Sequence, residues 1–208
     1  MSAHRQSSLE SPTFFTRLTT VTRIIAGAIG SLQLKPAAKV TRPTSDRVKE
    51  SLFAKLDAMG VIEDAKVLDL FAGTGALGLE SASRGALSVD LVERDRNAFE
   101  LLQHNVKSSL SSFEKQEISL KIQAHNQDAQ RFLKSASAGF DLVFIDPPYE
   151  FPNSELEQLL HAVAALIRAE GLVVVERSSR SEQLEVENLE LQSTKSYGDT
   201  AVWIYVKP

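Results

Sequence analysis

Lys66-Val67-Leu68-Asp69-Leu70-Phe71-Ala72-Gly73-Thr74-Gly75-Ala76-Leu77-Gly78-Leu79-Glu80 changes character halfway along. A short β-favouring apolar run gives way to three glycines, which lead into an amphipathic stretch. A strand that ends in glycines and passes straight into a helix opens an α/β unit, because the helix carries the chain back before a parallel strand follows. The glycines let the backbone turn tightly and approach a ligand closely.

Outward from this stretch the pattern repeats. Strands are expected at Lys66–Phe71, Ser88–Glu93, Ser119–Ala124, Phe140–Ile145 and Gly171–Arg177, with helices near 76–84, 95–109, 126–136 and 154–168. Leu156, Leu159, Leu160, Val163 and Leu166–Ile167 recur at helical spacing and mark a core-facing stripe. Two more strands, Leu189–Lys195 and Ala201–Val206, are joined by the turn residues Ser196-Tyr197-Gly198-Asp199 and read as an antiparallel hairpin. The expected fold is a mostly parallel, doubly wound seven-stranded α/β sheet with one reversed strand near its C-terminal end.

Composition narrows the function. The 208 residues are 43% hydrophobic and 24% charged, enough for one domain with its own core. Without cysteine there is no disulfide, thiolate metal site or cysteine nucleophile, and the four histidines show no metal-ligand spacing, so no metal is expected. The apolar runs fall far short of the roughly 20 residues that span a bilayer, and no membrane partner is expected. Residues 1–60 carry nine Lys and Arg against four Asp and Glu, and the rest 14 against 23. A polyanion is therefore drawn to the N-terminal quarter and repelled by the remainder.

The glycine stretch marks the cofactor end. Glu93, about 20 residues after Gly73, closes the second strand, where a carboxylate can accept both hydroxyl hydrogens of a ribose. Gly73-x-Gly75-x-x-Gly78 with this acid also fits a dinucleotide fingerprint. Asp69 favours S-adenosyl-L-methionine, whose ammonium it could reach; a nicotinamide dinucleotide has no such cation.

The second feature favouring that donor is Asp146-Pro147-Pro148-Tyr149, after the apolar run Phe140–Ile145 and on the same edge of the sheet. An exocyclic amine on a nucleobase is a poor nucleophile because its lone pair is delocalised. Hydrogen bonds from its N–H groups to the Asp146 carboxylate and the Pro147 carbonyl would pull it towards tetrahedral geometry. Pro147 and Pro148 stiffen the loop and remove two donors. Tyr149 offers a stacking face.

At this point the chain resembles the class I, Rossmann-like methyltransferases that act on amino nitrogens, and more closely the bacterial RsmD family, which methylates a guanine N2 in 16S rRNA. The resemblance is carried by Thr22-Arg23-Ile24-Ile25-Ala26-Gly27, Thr41-Arg42-Pro43-Thr44-Ser45-Asp46-Arg47-Val48-Lys49-Glu50 with Leu52-Phe53, the glycine stretch, Asp146–Tyr149, Val174-Val175-Glu176 and Tyr197-Gly198-Asp199-Thr200. It implies a cofactor pocket lined by Asp69, Phe71, Ala72, Gly73, Thr74, Gly75, Glu93 and Asp128, with Asp128 near the cofactor's adenine amine. It implies that Asp146, Pro147, Pro148 and Tyr149 hold the target base, guanine 966 by the family pattern. It implies a small N-terminal hairpin and helix on the substrate side, residues 22–60, before a methyltransferase domain over 61–208.

In the expected N-terminal helix, Val48, Leu52, Phe53 and Leu56 form one apolar face. Arg42, Thr44, Arg47 and Lys49 are then left to meet RNA or wall the site. The family's basic, Gly/Arg-rich hairpin is replaced by Ala26–Lys35 with a single cation, which points to help from the folded small-subunit assembly particle. Residues 1–21, rich in Ser and Thr, are expected to be a disordered tail, with a natural start near Val21. A cytoplasmic monomer is expected. The competing readings are transfer to another RNA or DNA base, an NAD-dependent oxidoreductase, and a non-catalytic RNA-binding module.

Overall fold

A computed structural model describes residues 22–36 and 46–208. Its elements are α1 (Asp46–Ala58), β1 (Lys66–Asp69), α2 (Ala76–Ser83), β2 (Ser88–Glu93), α3 (Arg96–Glu114), β3 (Lys121–Asn126), α4 (Ala129–Ser135), β4 (Phe140–Ile145), α5 (Asn153–Leu166), β5 (Ile167–Ser178), β6 (Glu190–Tyr197) and β7 (Thr200–Val206). The seven strands form one sheet in the order β3-β2-β1-β4-β5-β7-β6. The first five are parallel, and β7 runs antiparallel to both β5 and β6. The order reverses between β1 and β4, and in such sheets ligands bind beyond the strand ends at that reversal.

Period-2 alternation distributes the strand residues between two cores. Val67, Leu142, Phe144, Val174, Val202 and Ile204 face α1, α2, α3 and the N-terminal hairpin. Leu68, Val143, Ile145, Val173, Val175, Ala201, Trp203 and Tyr205 face α4 and α5. Both faces of the central strands are buried, which is why they read as unbroken apolar runs. Asp95 Oδ1 caps α3 by accepting from Ala98 N at 2.9 Å, and Asp128 caps α4.

Several boundaries differ from those expected: β1 ends at Asp69 rather than Phe71, and α3 runs on to Glu114 rather than ending near 109. β3 starts two residues late, because Glu117 (φ 59°) turns the chain after α3 and residues 118–120 only connect. The fourth helix starts at Ala129 rather than near 126, since Asn126 still pairs with Glu93. α5 stops at Leu166: Ile167 pairs with Phe140, and the ladder resumes at Leu142–Leu172 after a bulge that contains Glu170 at φ 65°. The expected tail, together with Arg42 and Thr44, lies outside the described residues.

Residues 22–34 form a small hairpin closed by Ile24 N to Leu32 O (3.0 Å) and Leu34 N to Thr22 O (2.8 Å). It docks on α2. The fully buried Glu80 carboxylate accepts from Ile25 N at 2.6 Å, Ala26 N at 3.1 Å and Arg84 Nε at 2.7 Å. Arg84 also pairs with Asp57 of α1 and lies 5.0 Å from the centre of the Phe53 ring. Gly27 passes so close to α2 that a Cβ there would sit 1.9 Å from Ser83 O, and its φ of +84° is itself a glycine conformation. Ser83 answers with its hydroxyl, donating to Ala26 O at 2.6 Å and accepting from Ile29 N at 3.1 Å.

Glu80→Gln removes the charge that balances Arg84 and turns an amide donor towards one of the two backbone N–H groups, Ile25 N on one oxygen or Ala26 N on the other. It should cost about 3 kcal/mol, as loss of one partner from a buried pair does. A fall in Tm of about 6–12 °C follows for a domain of this size, checked by calorimetry.

Candidate functional site

The connections after β1, β2, β3, β4 and β5 leave the C-terminal edge of the parallel strands, and backbone pairing fixes their neighbourhood. β1 and β4 run side by side to Asp69–Phe144, and Leu70 N extends the ladder to Phe144 O at 3.0 Å. On the other side Ala72 N reaches Val92 O at 2.9 Å. The glycine loop after β1 and the proline corner after β4 therefore leave adjacent strand ends. Phe71 of the first loop meets Phe151, just beyond the second, edge to face with centroids 5.3 Å apart.

Within the glycine loop each glycine has a different reason. Gly73 (φ +52°) has only Phe71 O near the place of a Cβ, at 4.0 Å, so its surface is open. Gly75 (φ +84°) is closed in: a Cβ would meet Leu102 Cδ1 at 2.7 Å and Leu79 Cδ1 at 3.0 Å. Gly78 lets α2 lie on β2, where a Cβ would fall 2.3 Å from Leu91 Cδ2.

Asp69 ends β1 with 1% of its surface exposed. Its Oδ2 accepts from Gly78 N at 3.2 Å, whereas Oδ1 is buried without a hydrogen-bond partner. Burial pushes its pKa up to about 7; the Gly78 and Phe71 amides oppose the rise and the Glu93 charge adds to it. A buried carboxylate oxygen with an unfilled valence calls for a donor, best a cation.

Glu93 is half-buried at the end of β2. Its Oε2 accepts from Gly73 N at 3.0 Å and its Oε1 from Asp95 N at 2.8 Å. One lone pair on each oxygen remains for a ligand. Asn126 ties β3 to this corner by donating to Glu93 O at 2.9 Å. Asp128 caps α4 through Oδ1, at 2.9 Å from Gln130 N, and keeps Oδ2 for another donor.

After β4, Asp146 is half-buried, Pro147 buried, and Pro148 and Tyr149 exposed. Phe151 N donates to Pro148 O at 2.9 Å, closing a turn that lifts the Tyr149 ring outwards. Tyr149 is 50% exposed, and among the described residues its hydroxyl reaches only Thr200 Oγ1, at 3.5 Å. Arg177, near the end of β5, holds this turn from below: Nη2 donates to Phe151 O at 2.8 Å and Asn153 Oδ1 at 3.1 Å. It is 6% exposed, Nε and Nη1 have no partner, and burial pulls its pKa down.

The N-terminal cations separate. Arg47 is exposed on the first turn of α1. One turn on, Ser51 Oγ accepts from Tyr197 Oη at 2.7 Å and Lys195 Nζ at 2.9 Å, which brings this end of α1 to the β6–β7 turn. Lys49 departs from its expected place on the substrate-facing surface. It is 2% exposed, and its Nζ donates to Arg23 O at 2.6 Å, because the hairpin covers that side of the helix. Arg177 was missed because nothing in the apolar run before it marks it. Asn105 of α3 was also missed, although a polar residue in a core-facing stripe was a visible signal; it is 1% exposed and donates to Thr74 O at 2.9 Å.

Comparison with known proteins places these features in a lineage. A family profile described as Conserved hypothetical protein 95 matches residues 22–206. Ribosomal RNA small subunit methyltransferase D of Haemophilus influenzae is 34% identical over 88% of this chain and 92% of its own length. The protein of the same name from Escherichia coli K12 is 36% identical over 74% of this chain and 73% of its own. A solved structure of a hypothetical protein from Thermus thermophilus superposes with a TM-score of 0.75 at 29% identity, covering 90% of this chain and all of that one. The profile takes in the hairpin, the glycine loop, the proline corner and the reversed strand together, and the chain belongs to the Conserved hypothetical protein 95 family, the RsmD-type methyltransferases.

Proposed function

We propose that this protein transfers a methyl group from S-adenosyl-L-methionine to the exocyclic N2 amine of a guanine in 16S rRNA, guanine 966 by family pattern, within a small-subunit assembly particle in the cytoplasm. The observation that carries this reading is the adjacency of the glycine loop and the proline corner on β1 and β4, held by the Phe71–Phe151 contact.

The residues present fit the cofactor. The unfilled Asp69 Oδ1 suits its ammonium, the open face of Gly73 admits a close ligand, Glu93 suits ribose hydroxyls, and Asp128 Oδ2 suits the adenine amine. When bound, S-adenosyl-L-methionine supplies an electrophilic methyl group on a sulfonium. The chain's part is to present the amine. Asp146 and the Pro147 carbonyl accept its two N–H bonds, and Tyr149 stacks on the base. Most of the acceleration comes from that orientation. The departing proton is lost once the methyl group has arrived, so Asp146 does not need to be a strong base. Arg47, exposed on the first turn of α1, is the cation assigned to RNA phosphate. The decisive experiment maps N2-methylguanine in rRNA by mass spectrometry from cells with and without the gene. An unchanged map overturns the reading.

Asp146→Ala should lower kcat at least about 100-fold, the scale of losing orientation at a reacting atom, with S-adenosylhomocysteine affinity retained by calorimetry. Tyr149→Ala should lower kcat/KM about 5–150-fold, equivalent to about 1–3 kcal/mol of stacking, while Tyr149→Phe stays near wild type.

Asp69 sets a pH dependence. Its folded pKa, about 7, lies above the ordinary 3.8, so the free protein loses stability as pH rises from about 4 through 7. Asp69→Asn should therefore melt higher than wild type at pH 8, with the gap closing towards pH 4. An ammonium beside Asp69 favours its ionised form. S-adenosylhomocysteine binding near pH 7 should release a proton from wild type and none from Asp69→Asn, read by calorimetry in two buffers of different ionisation heat.

A further inference from the structure

Arg177 is buried in a place that does not suit a cation. Its Nε and Nη1 have no acceptor, and among the described residues no carboxylate pairs with it. Its two acceptors, Phe151 O and Asn153 Oδ1, are neutral. Asn153 opens α5, so the guanidinium also lies at the positive end of that helix's dipole. A buried charge without an ion partner lowers stability, and burial pulls its pKa down.

What the side chain holds accounts for its presence. Arg177 is paired with Ala201 of β7, and Val175, two residues earlier, pairs with Ile145 immediately before Asp146. The guanidinium therefore ties the chain just past the proline corner to the part of the sheet from which the corner departs. Phe151 has three attachments: N to Pro148 O at 2.9 Å, its ring against Phe71, and O to Arg177 Nη2 at 2.8 Å. Of these only the last reaches a strand residue. Phe151 and Asn153 are half-buried, so water can satisfy both acceptors once the guanidinium is gone. Water would replace the hydrogen bonds but not the anchor.

We infer that Arg177 is a positioning residue that fixes the proline corner for methyl transfer at a cost in stability. This rests on the function proposed above and extends its site to a side chain beneath the corner. Asp146 and the Pro147 carbonyl are there to accept the amine's two N–H bonds, and a corner free to shift presents them in scattered geometry. The cofactor's contacts, on Asp69, Gly73, Glu93 and Asp128, come from other loops and stay in place.

The test compares full-length wild type, Arg177→Met and Arg177→Lys. It reads Tm and S-adenosylhomocysteine affinity by calorimetry, and kcat and KM for methylation of small-subunit particles from cells lacking the gene. Methionine keeps much of the apolar stem and removes the charge and every donor. Arg177→Met should melt no lower than wild type and keep its S-adenosylhomocysteine affinity within about twofold. Its kcat should fall about 10–100-fold, the scale of a misplaced reacting group, with KM within about threefold. Arg177→Lys, whose ammonium can still donate to both acceptors, should recover most of that loss. Stability and turnover then move apart, which an arginine needed only for folding does not allow. A methionine variant that melts lower or fails to fold, a kcat equal to wild type, or a lysine no better than methionine overturns the inference and leaves the proposed function standing. A wild type that transfers no methyl group overturns both.

Discussion

The pairing of β1 with β4 is the constraint on which the site depends. Two strands distant in sequence lie side by side up to Asp69 and Phe144, and the chain order reverses between them. A helix-bearing connection leaves each strand in an opposite direction, so a crevice opens where neither covers the edge. The backbone pairing makes the crevice rigid, and the residues just beyond it inherit that rigidity. Asp69 is inside it, the glycines line it, and Asp146 stands on the next strand end. Phe71 and Phe151 extend the same connection past the last paired residue, with apolar contact in place of hydrogen bonds.

α2 makes the N-terminal hairpin part of this arrangement. The glycine loop leads into its first turn, and its last turn receives the hairpin on Glu80 and Ser83. A helix of only eight residues thus has a glycine-loop end and a hairpin-bearing end. The buried carboxylate of Glu80 is tolerated because two amides and a guanidinium satisfy it, and the same partners specify where the hairpin sits. Arg84 extends the tie to α1, so the docking of both N-terminal pieces depends on one charge cluster.

The central strands were legible in the sequence because burial on both faces leaves an unbroken apolar run, as in Phe140–Ile145. β3 was harder to place. It is an edge strand with Lys121, Gln123 and Asn126 exposed, and its weak alternation does not fix its ends. The α5–β5 junction was blurred because Leu166 and Ile167 are both apolar, and only the pairing with Phe140 assigns the second to the sheet. The glycine loop and proline corner could be read because each residue there has a local task. Lys49 and Glu80 could not, since their partners lie 26 and 55 residues away, and Asn105 showed its burial in the stripe but not its partner 70 residues away. A periodicity shows that a position is buried or exposed, but not which distant carbonyl or amide awaits a polar side chain there.

The reversal of β7 has an architectural outcome. A parallel strand there would need a crossover helix, and a bulky connection would overhang the crevice from that flank. The antiparallel hairpin instead arrives as Gly198 and Asp199 between paired Tyr197 and Thr200, the shortest parapet a sheet allows. Tyr149 looks over it. A rim this low on one side leaves clearance above the crevice, and lengthening that two-residue wall would shut out large ligands before small ones.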